Sequence, residues 1–385
     1  MLGLDLTIYI EVKISLEEIF MNRRDFIKFV GTGSLIFPIA QSIASQQHEL
    51  SEWKSYRLTY QIELPAIGNN ARLWLPIPDT NDTHYQFTQG SLWRGNASKA
   101  EFSTINGTNF PIFKADWQNN GPRNVTVSSI VKTTDRFVDL RNHDATNKTK
   151  VPRSVHRFLK PTNQIPISGI VHETAKAITK DANSQGTLQQ ARALYDWIID
   201  NGRHDETVPG RGKGDVEYML SRNQISGKCA DLNSLFVGLS RSLGIYARLQ
   251  YGIRINESKI HESLGKFGDI SQSHHCRAEF YLSDLGWIPV DPADVCKVAQ
   301  EDNVPINHPT ISLLREKFFG SWEMNWITFN NTEDIQLASN SMSGTLPFFM
   351  YPHAEVGNQI QNSLQPDDFS YKIISAELIS TGAKF

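Results

Sequence analysis

Residues 226–244 read SGKCADLNSLFVGLSRSLG, and this stretch carries the strongest fold signal in the chain. Apolar side chains recur at helical spacing after Cys229 and stop at Gly244, a residue that commonly ends helices. The apolar positions are Leu232, Leu235, Phe236, Leu239 and Leu243. We therefore predict a buried helix that begins at or next to Cys229. A cysteine in the first turn of a helix experiences the positive end of the helix dipole, which favours the thiolate.

The chemical role of Cys229 stays open at this point. Free cysteine is among the most buried residue types, so a small core side chain is the simplest explanation. A nucleophile needs a base beside the sulfur and a group that orients the base. Residues 271–296, SQSHHCRAEFYLSDLGWIPVDPADVC, supply His275 in a predicted strand and Asp291 at the end of a second one. If the hairpin turns about residue 283, His275 and Asp291 lie opposite each other on one face.

The same segment allows other interpretations. Its two histidines and two cysteines are of the types that bind soft metal ions: His274, His275, Cys276 and Cys296. Neighbouring residues of a strand point to opposite faces, so this set is poorly arranged for one ion, and His274 is expected at the surface or behind the site. A disulfide between Cys276 and Cys296 stays open, and it would leave Cys229 as the free thiol. Asp294 is interpreted as a loop residue.

The pattern of the remaining chain indicates two folded regions. Residues 48–140 alternate apolar and polar residues in short runs broken by turn sequences, which predicts an antiparallel, sandwich-like β domain. Residues 141–164 are mostly polar and lack a period, which is typical of a linker. Residues 165–385 place helices before strands, which predicts an α+β domain with a C-terminal extension. The predicted helices cover 169–180 and 187–201, and the later strands cover 247–255, 274–282 and 287–290.

The first 47 residues are separate from the predicted fold. Residues 21–44 contain a pair of arginines, an uncharged stretch and a small-x-small triplet, which is the layout of a twin-arginine export signal. Residues 1–20 carry acidic side chains that do not suit a signal, so we expect the true start at Met21. These features predict a periplasmic or secreted protein that meets a membrane only through its signal.

Composition excludes several classes of protein. The chain has 385 residues, of which 39% are hydrophobic and 21% charged, and a formal net charge of −3. Because its lysines and arginines are scattered, it lacks the basic surface expected of a nucleic-acid partner. Three cysteines are too few for a disulfide scaffold or a zinc ribbon. The sequence contains no P-loop, dinucleotide fingerprint or calcium loop, so we expect neither a cofactor nor a metal.

Several motifs, taken in order, resemble the transglutaminase-like superfamily. They are Gly227-x-Cys229-x-Asp231, the segment LGIYAR, His275-x-x-Ala-Glu279 and Gly286-Trp287-x-Pro-Val-Asp291-Pro292. The resemblance implies a papain-like core in which Cys229 is the nucleophile, His275 the base and acid, and Asp291 the orienting carboxylate. It also implies reaction at amide bonds of peptides or proteins through a thioester, with hydrolysis, deamidation and transamidation all open. A peptidase or amidase, or a non-catalytic binding protein on the same scaffold, are the alternatives.

Two features of the predicted site are specific to this chain. Arg277 stands where the family commonly has an aromatic residue. We expect it on the same strand face as His275, where it would bind an acidic substrate group or lower the pKa of the histidine. For the oxyanion, the backbone N–H of Cys229 is the expected first donor, and Asn223 or Gln224 are candidates for a second.

Overall fold

A computed structural model describes residues 52–81, 83–105, 107–147, 149–364 and 369–379. The predicted export signal over 21–44 and the predicted start at Met21 lie outside these residues. Within them, no helix has both the length and the apolar character needed to cross a lipid bilayer.

The described part of the chain begins with strands and alternates helices and strands after residue 165. The first group consists of strands: β1 (Lys54–Leu64), β2 (Ala71–Pro76), β3 (Gln86–Gly95), β4 (Lys99–Thr104), β5 (Pro111–Trp117), β6 (Arg123–Thr133) and β7 (Arg136–Phe137). The middle group is α1 (Ile170–Asp181), α2 (Gly186–Asn201), β8 (Arg203–His204), α3 (Val216–Ser221), β9 (Ser226–Gly227), α4 (Cys229–Ser242), β10 (Ala247–Arg254), β11 (Gly268–Asp269), β12 (His274–Leu282) and β13 (Gly286–Val290). The last group is α5 (Pro292–Glu301), α6 (Pro309–Lys317), β14 (Ser321–Trp322), β15 (Trp326–Asn330), β16 (Glu333–Gln336), β17 (Thr345–Phe348), β18 (His353–Val356), β19 (Gln359–Ile360) and β20 (Tyr371–Glu377).

Two five-stranded antiparallel sheets form the predicted sandwich-like region. Their strand orders are β11-β20-β1-β6-β3 and β19-β18-β2-β5-β4. Every second residue is buried along most of β1 and β6, because successive side chains of a strand point to opposite faces. Tyr56 and Leu58 of the first sheet belong to the same apolar cluster as Leu73 and Leu75 of the second. The two sheets therefore share one core, and the prediction of an N-terminal β-rich fold is confirmed.

Strands from the C-terminal end of the chain complete both sheets. β20 pairs antiparallel with β1, and β18 pairs antiparallel with β2. The sequence did not indicate these pairings, and the predicted division placed all residues after 165 in the second domain. Alternation identifies a strand by local pattern, but it leaves no signal of a partner at the other end of the chain.

The segment predicted as a linker, 141–164, is attached to the second region. It contains a 3₁₀ helix at Arg153–Leu159, in which Val155 and Phe158 are buried. The Phe158 ring packs edge-on against Trp287 of β13, with ring centroids 5.1 Å apart. These contacts anchor the connection on the hairpin that follows the central helix.

The central helix α4 is buried on nearly all sides. It packs on β10 and β12 of a four-stranded antiparallel sheet with the order β13-β12-β10-β15, and α1, α2 and α5 surround its other faces. Its apolar residues Leu232, Leu235 and Phe236 have no solvent exposure. Burial of each such side chain stabilises the fold by roughly 1.5–3 kcal/mol. Gly244 adopts φ = 81°, a left-handed conformation that favours glycine and ends the helix as predicted.

The hairpin of β12 and β13 turns one residue later than predicted. Leu282 pairs with Gly286, so the turn is centred on Asp284 and not on residue 283. By extension of this register, Asp291 lies level with Arg277 instead of His275. A change of one residue in the turn moves the pairing by two positions, and a shift of two keeps side chains on their original face. The predicted register is therefore wrong, but His275 and Asp291 still share a face.

Candidate active site

Cys229 lies at the start of α4 and at the edge of a cavity of about 180 Å³. Its side chain is 4% exposed, so a small part of the sulfur environment is open to the cavity. The first N–H groups of a helix have no partner within the helix. The N–H of Ala230, the residue after Cys229, donates to the carbonyl oxygen of Arg211 at 2.9 Å. This bond attaches the first turn of α4 to the segment that carries Arg211.

Asp231 holds the backbone around Cys229 in place. Its carboxylate accepts N–H bonds from Lys213 and Gly214 at 2.9 Å and from Lys228 at 3.0 Å. The carboxylate packs tightly against Gly227, where a Cβ atom would lie 2.3 Å from Oδ2 of Asp231. The motif Gly-x-Cys-x-Asp therefore has a structural reason: the aspartate fixes the turn before the cysteine, and the glycine makes room for the aspartate.

The structure brings Cys229, His275 and Asp291 together. His275 Nε2 lies 2.7 Å from Oδ2 of Asp291, so this nitrogen donates its proton to the carboxylate. The imidazole also interacts with the Cys229 side chain and lowers the pKa of its thiol, and Nδ1 is the ring nitrogen that remains for this interaction. His275 is 5% exposed and Asp291 is fully buried. Little water can therefore compete for these interactions.

The environment of Cys229 stabilises its thiolate. Burial alone raises the pKa of the thiol, but the neighbouring side chains of Cys276 and His275 lower it, together with the charges of His275 and Arg211. The pKa of Cys229 consequently lies well below its usual range. The pKa of the Cys276 thiol shifts the other way, because burial and the neighbouring Cys229 raise it. Cys276 therefore stays protonated while Cys229 carries the negative charge.

The proton of His275 is stabilised by two carboxylates. Burial and the charge of Arg254 lower the pKa of His275, but Asp294, Asp291 and the Cys229 thiolate outweigh them, so that the pKa is raised. Asp294 Oδ1 lies 3.5 Å from His275 Nε2 and 2.5 Å from Nη2 of Arg254. A raised histidine pKa beside a lowered cysteine pKa favours a thiolate–imidazolium ion pair at neutral pH.

Three residues of this network were missed or misread in the sequence. Asp294, interpreted there as a loop residue, is buried in the first turn of α5 and paired with Arg254. Asn233 donates its amide N–H to the carbonyl oxygen of Cys276 at 2.9 Å and to Oδ1 of Asp291 at 3.2 Å. A signal for Asn233 was present, because a polar side chain four residues after Cys229 lies on the same face of the helix.

Arg277 lies on the same strand face as His275, as predicted, but it does not line the cavity beside Cys229. Its guanidinium group is buried between the rings of Trp322 and Trp326, at 5.5 and 4.9 Å from their centroids. It donates to the carbonyl oxygen of Glu323 at 3.1 Å and lies 3.6 Å from Asp291. Burial lowers its pKa to about 10. The expectation that Arg277 binds substrate is therefore wrong, and the arginine whose charge acts most strongly on His275 is Arg254.

The four residues considered as metal ligands do not converge. His274 is buried, which contradicts the surface alternative and leaves the position behind the site, and its ring packs on Tyr351 with centroids 4.6 Å apart. Cys296 lies on α5 beside a different cavity. All three cysteines are free thiols, so the Cys276–Cys296 disulfide is absent from the structure. In the described part of the chain, the only ligand-type side chains that cluster are His275, Asp291 and Asp294.

That cluster is better explained as an ion-pair network than as a metal site. Arg254 pairs with Asp294, and Arg277 lies 3.6 Å from Asp291, so cationic side chains already compensate both carboxylates. Burial and the charge of Asp294 raise the pKa of Asp291. The two carboxylates, Asp291 and Asp294, therefore both raise the pKa of His275 while each also lies close to an arginine.

Neither candidate for a second oxyanion donor lies in the cavity. The side chains of Asn223 and Gln224 are exposed at the end of α3, and neither lines the cavity beside Cys229. His204 does line it and is buried. Its Nε2 lies 2.7 Å from Glu206, and its Nδ1 has no hydrogen-bond partner among the described residues. No pattern in the sequence selects His204, because it precedes Cys229 in a separate short strand.

Comparison with known families identifies the superfamily. The sequence profile of the transglutaminase-like superfamily matches residues 172–292. The matched range includes α4, β12 and Asp291, which are the elements that hold the three side chains. This chain belongs to the transglutaminase-like superfamily.

Individual proteins are similar to this chain in sequence or in fold. An uncharacterised protein of Haemophilus influenzae is 33% identical over 337 residues, which cover 83% of this chain and 90% of the relative. The crystal structure of a proposed cysteine protease from Cytophaga hutchinsonii is similar in fold, with a TM-score of 0.50 and 15% identity. It covers 87% of this chain and 94% of that chain. The periplasmic domain of TgpA from Pseudomonas aeruginosa matches with a TM-score of 0.31 and 14% identity, covering 68% of this chain and 92% of that domain.

Proposed function

We propose that this protein is a cysteine enzyme that breaks amide bonds of peptides or proteins through a thioester intermediate. The observation that carries the proposal is the placement of three buried groups: Cys229 and His275 line one cavity, and Nε2 of His275 lies 2.7 Å from Oδ2 of Asp291. A thiol at a helix start, an imidazole in contact with it and a carboxylate behind the imidazole are the three parts that nucleophilic catalysis requires.

The first half of the proposed reaction forms the thioester. The Cys229 thiolate attacks the amide carbonyl carbon, and the oxygen takes the negative charge next to the backbone N–H of Cys229. The imidazolium of His275 then transfers its Nδ1 proton to the amide nitrogen, so that the C–N bond breaks and a neutral amine leaves. Asp291 keeps its bond to Nε2 throughout and stabilises the imidazolium before the proton is transferred.

The second half releases the acyl group. Neutral His275 removes a proton from an acceptor, which attacks the thioester carbon, and the Cys229 thiolate leaves. Water as the acceptor gives a carboxylic acid, and an amine gives a new amide. The same three side chains serve hydrolysis, deamidation and transamidation, so the acceptor is determined by what reaches the thioester.

Labelling and product analysis test the proposal. Iodoacetamide is expected to label Cys229 faster than Cys276 and Cys296, and faster than it labels free cysteine at mildly acidic pH. A peptide library incubated with the protein and with an amine donor is then analysed by mass spectrometry, with Cys229→Ala as the comparison. Cut chains indicate a peptidase, a mass gain of about one unit indicates a deamidase, and amine adducts indicate a transferase. A protein that labels slowly and whose products are unaffected by Cys229→Ala is a non-catalytic binding protein.

We also propose that the protein acts outside the cytoplasm. The support is the export-signal layout over residues 21–44. N-terminal sequencing of the protein recovered from periplasm and from cytoplasm tests this: a mature chain that begins after Ala44 is expected, and an intact N-terminus in the cytoplasmic fraction would contradict it.

A further inference from the structure

The cavity beside Cys229 is strongly cationic, although the chain as a whole has a net charge of −3. Five cationic side chains line it: Arg211, Lys228, Arg254, Lys266 and Lys297. Only one carboxylate, Asp294, lines the same cavity, and it is paired with Arg254. Lys228 is paired with Glu206 at 3.0 Å. The excess positive charge of the cavity therefore comes from Arg211, Lys266 and Lys297.

Arg211 and Lys297 are the two cations best placed to meet a substrate. Arg211 donates from its guanidinium to the carbonyl oxygen of Gln272, and Lys297 donates to the carbonyl oxygen of Ser263 at 2.8 Å. Neither has a carboxylate within ion-pairing distance in the part of the chain that the structure describes. The backbone of Arg211 is bound to Ala230, the residue after Cys229, so its side chain starts close to the reacting sulfur.

A second cavity, of about 290 Å³, continues from the first. Arg211 and Lys297 line both cavities and so stand at their junction. Its far wall is formed by Tyr351 and Tyr371, which come from the C-terminal part of the chain. Together the two cavities extend the space near Cys229 beyond what a single side chain would fill.

Two buried polar atoms next to this junction lack hydrogen-bond partners. They are Nε2 of His274 and Oη of Tyr351, and neither finds a partner among the described residues. His274 is 2% exposed and lines both cavities, and its ring contacts that of Tyr351. A buried polar group left unsatisfied costs about 1–3 kcal/mol, so both atoms are free to bind polar groups of a bound chain.

We propose that this cleft selects substrates with a carboxylate close to the reacting amide. Arg211 and Lys297 bind the carboxylate at the junction, and the peptide beyond it lies in the second cavity against His274 and Tyr351. The inference rests on the proposed function, since it names the substrate class of the same site. A free C-terminal carboxylate and a glutamate or aspartate side chain present the same chemistry to these cations.

Two alkylating reagents of similar size test the charge preference without any turnover. Iodoacetate carries one negative charge and iodoacetamide carries none, so the ratio of their rates at Cys229 reports the potential of the cleft. Lys297→Gln, which retains a donor for the carbonyl oxygen of Ser263, and Arg211→Gln are each expected to lower this ratio about tenfold at low salt. Lys213→Gln is the matched control, because it removes the same charge from an exposed side chain outside both cavities. Ratios equal to the wild-type ratio in both cleft variants would overturn the proposal.

Peptide binding to Cys229→Ala protein distinguishes the source of the carboxylate. Calorimetry compares acetylated tetra-alanine as the free acid and as the amide, and an amidated tetrapeptide with an internal glutamate against its glutamine counterpart. Tighter binding of the free acid alone indicates C-terminal recognition, and tighter binding of the glutamate peptide alone indicates side-chain recognition. Equal binding within both pairs refutes the inference even where Cys229 turns over substrate. Preferential binding without any turnover leaves the inference intact and refutes the proposed function.

Discussion

Replacing Asp291 with asparagine should reverse the tautomer of His275. Oδ1 of Asp291 accepts N–H bonds from Asn233 and from the backbone of Asp294, both at 3.2 Å, while Oδ2 accepts from His275. An asparagine has one oxygen, and the two donors at the Oδ1 position hold it there. The amide NH₂ then faces Nε2 of His275, which becomes an acceptor, and the ring proton moves to Nδ1 beside the sulfur.

The size of the effect follows from the lost charge. A hydrogen bond to a charged group contributes about 1.5–3 kcal/mol, and one pKa unit corresponds to about 1.36 kcal/mol. The pKa of His275 should therefore fall by roughly one to two units in Asp291→Asn. A neutral imidazole no longer stabilises the thiolate, so the pKa of Cys229 should rise. Turnover should decrease by about 10³–10⁴-fold, the scale seen when a triad histidine loses its orienting carboxylate.

The assay is the rate of iodoacetamide labelling of Cys229 as a function of pH, with turnover measured in parallel. The thiolate–imidazolium pair exists above the pKa of Cys229 and below that of His275. In Asp291→Asn the acidic limb of the pH profile should therefore move to higher pH and the alkaline limb to lower pH. Asp284→Asn is the control, because that carboxylate lies in the same hairpin but binds His143 at 2.9 Å. Unchanged limbs in Asp291→Asn would show that the carboxylate does not control the histidine, and the reasoning would fail.

Three further changes test other parts of the structure. Cys276→Ala removes a neighbouring thiol that lowers the pKa of Cys229, so the acidic limb of the labelling profile should shift to higher pH; an unmoved limb would contradict this interaction. Glu279 is buried between two arginines, and its pKa of about 2 lies below the unfolded value of ~4.3. The ionised Glu279 carboxylate therefore contributes fully to stability above its unfolded-state pKa, and this contribution is lost as the pH falls toward its folded-state pKa of about 2. Glu279→Gln should lower the free energy of unfolding in urea by about 3–5 kcal/mol at neutral pH, with a smaller loss in acid; an equal loss at both pH values would contradict the lowered pKa. Gly227→Ala places a Cβ atom against Asp231 and should destabilise the fold by about 1–3 kcal/mol while slowing labelling of Cys229; a normal labelling rate would show that the turn tolerates the methyl group.

The sequence predicted the elements that depend on local pattern. The helix starting at Cys229 has a strong apolar period and a glycine stop, and β12 has the predicted bounds, 274–282. The turn between β12 and β13 was placed one residue too early, because the sequence between Leu282 and Gly286 allows more than one centre. The prediction that His275 and Asp291 lie close together was correct despite the wrong register, since a two-residue shift keeps a side chain on the same face of a strand.

Features that depend on distant residues were not predictable in this way. Arg277 was expected to face a substrate, and its actual environment is formed by Trp322 and Trp326, which follow two intervening helices. An arginine in a strand gives no local indication that aromatic rings from another element will bury it. Asp294 and Arg254 likewise form an ion pair although they lie far apart in the sequence. Their shared effect on His275 requires both positions to be known.

The location of the cleft walls bears on how substrates differ among proteins with this core. The family profile covers residues 172–292, which contain the three residues proposed to be catalytic. Tyr351 and Tyr371 lie outside that range, in segments whose strands β18 and β20 pair with the N-terminal sheets. The sandwich therefore fixes one wall of the cleft while the core fixes the thiolate. Changes in the sandwich or in its C-terminal strands alter the space beside Cys229 without touching the residues that react. The order of cysteine, histidine and aspartate accordingly supports the reaction type proposed above, and the substrate has to be inferred from the residues that surround these three.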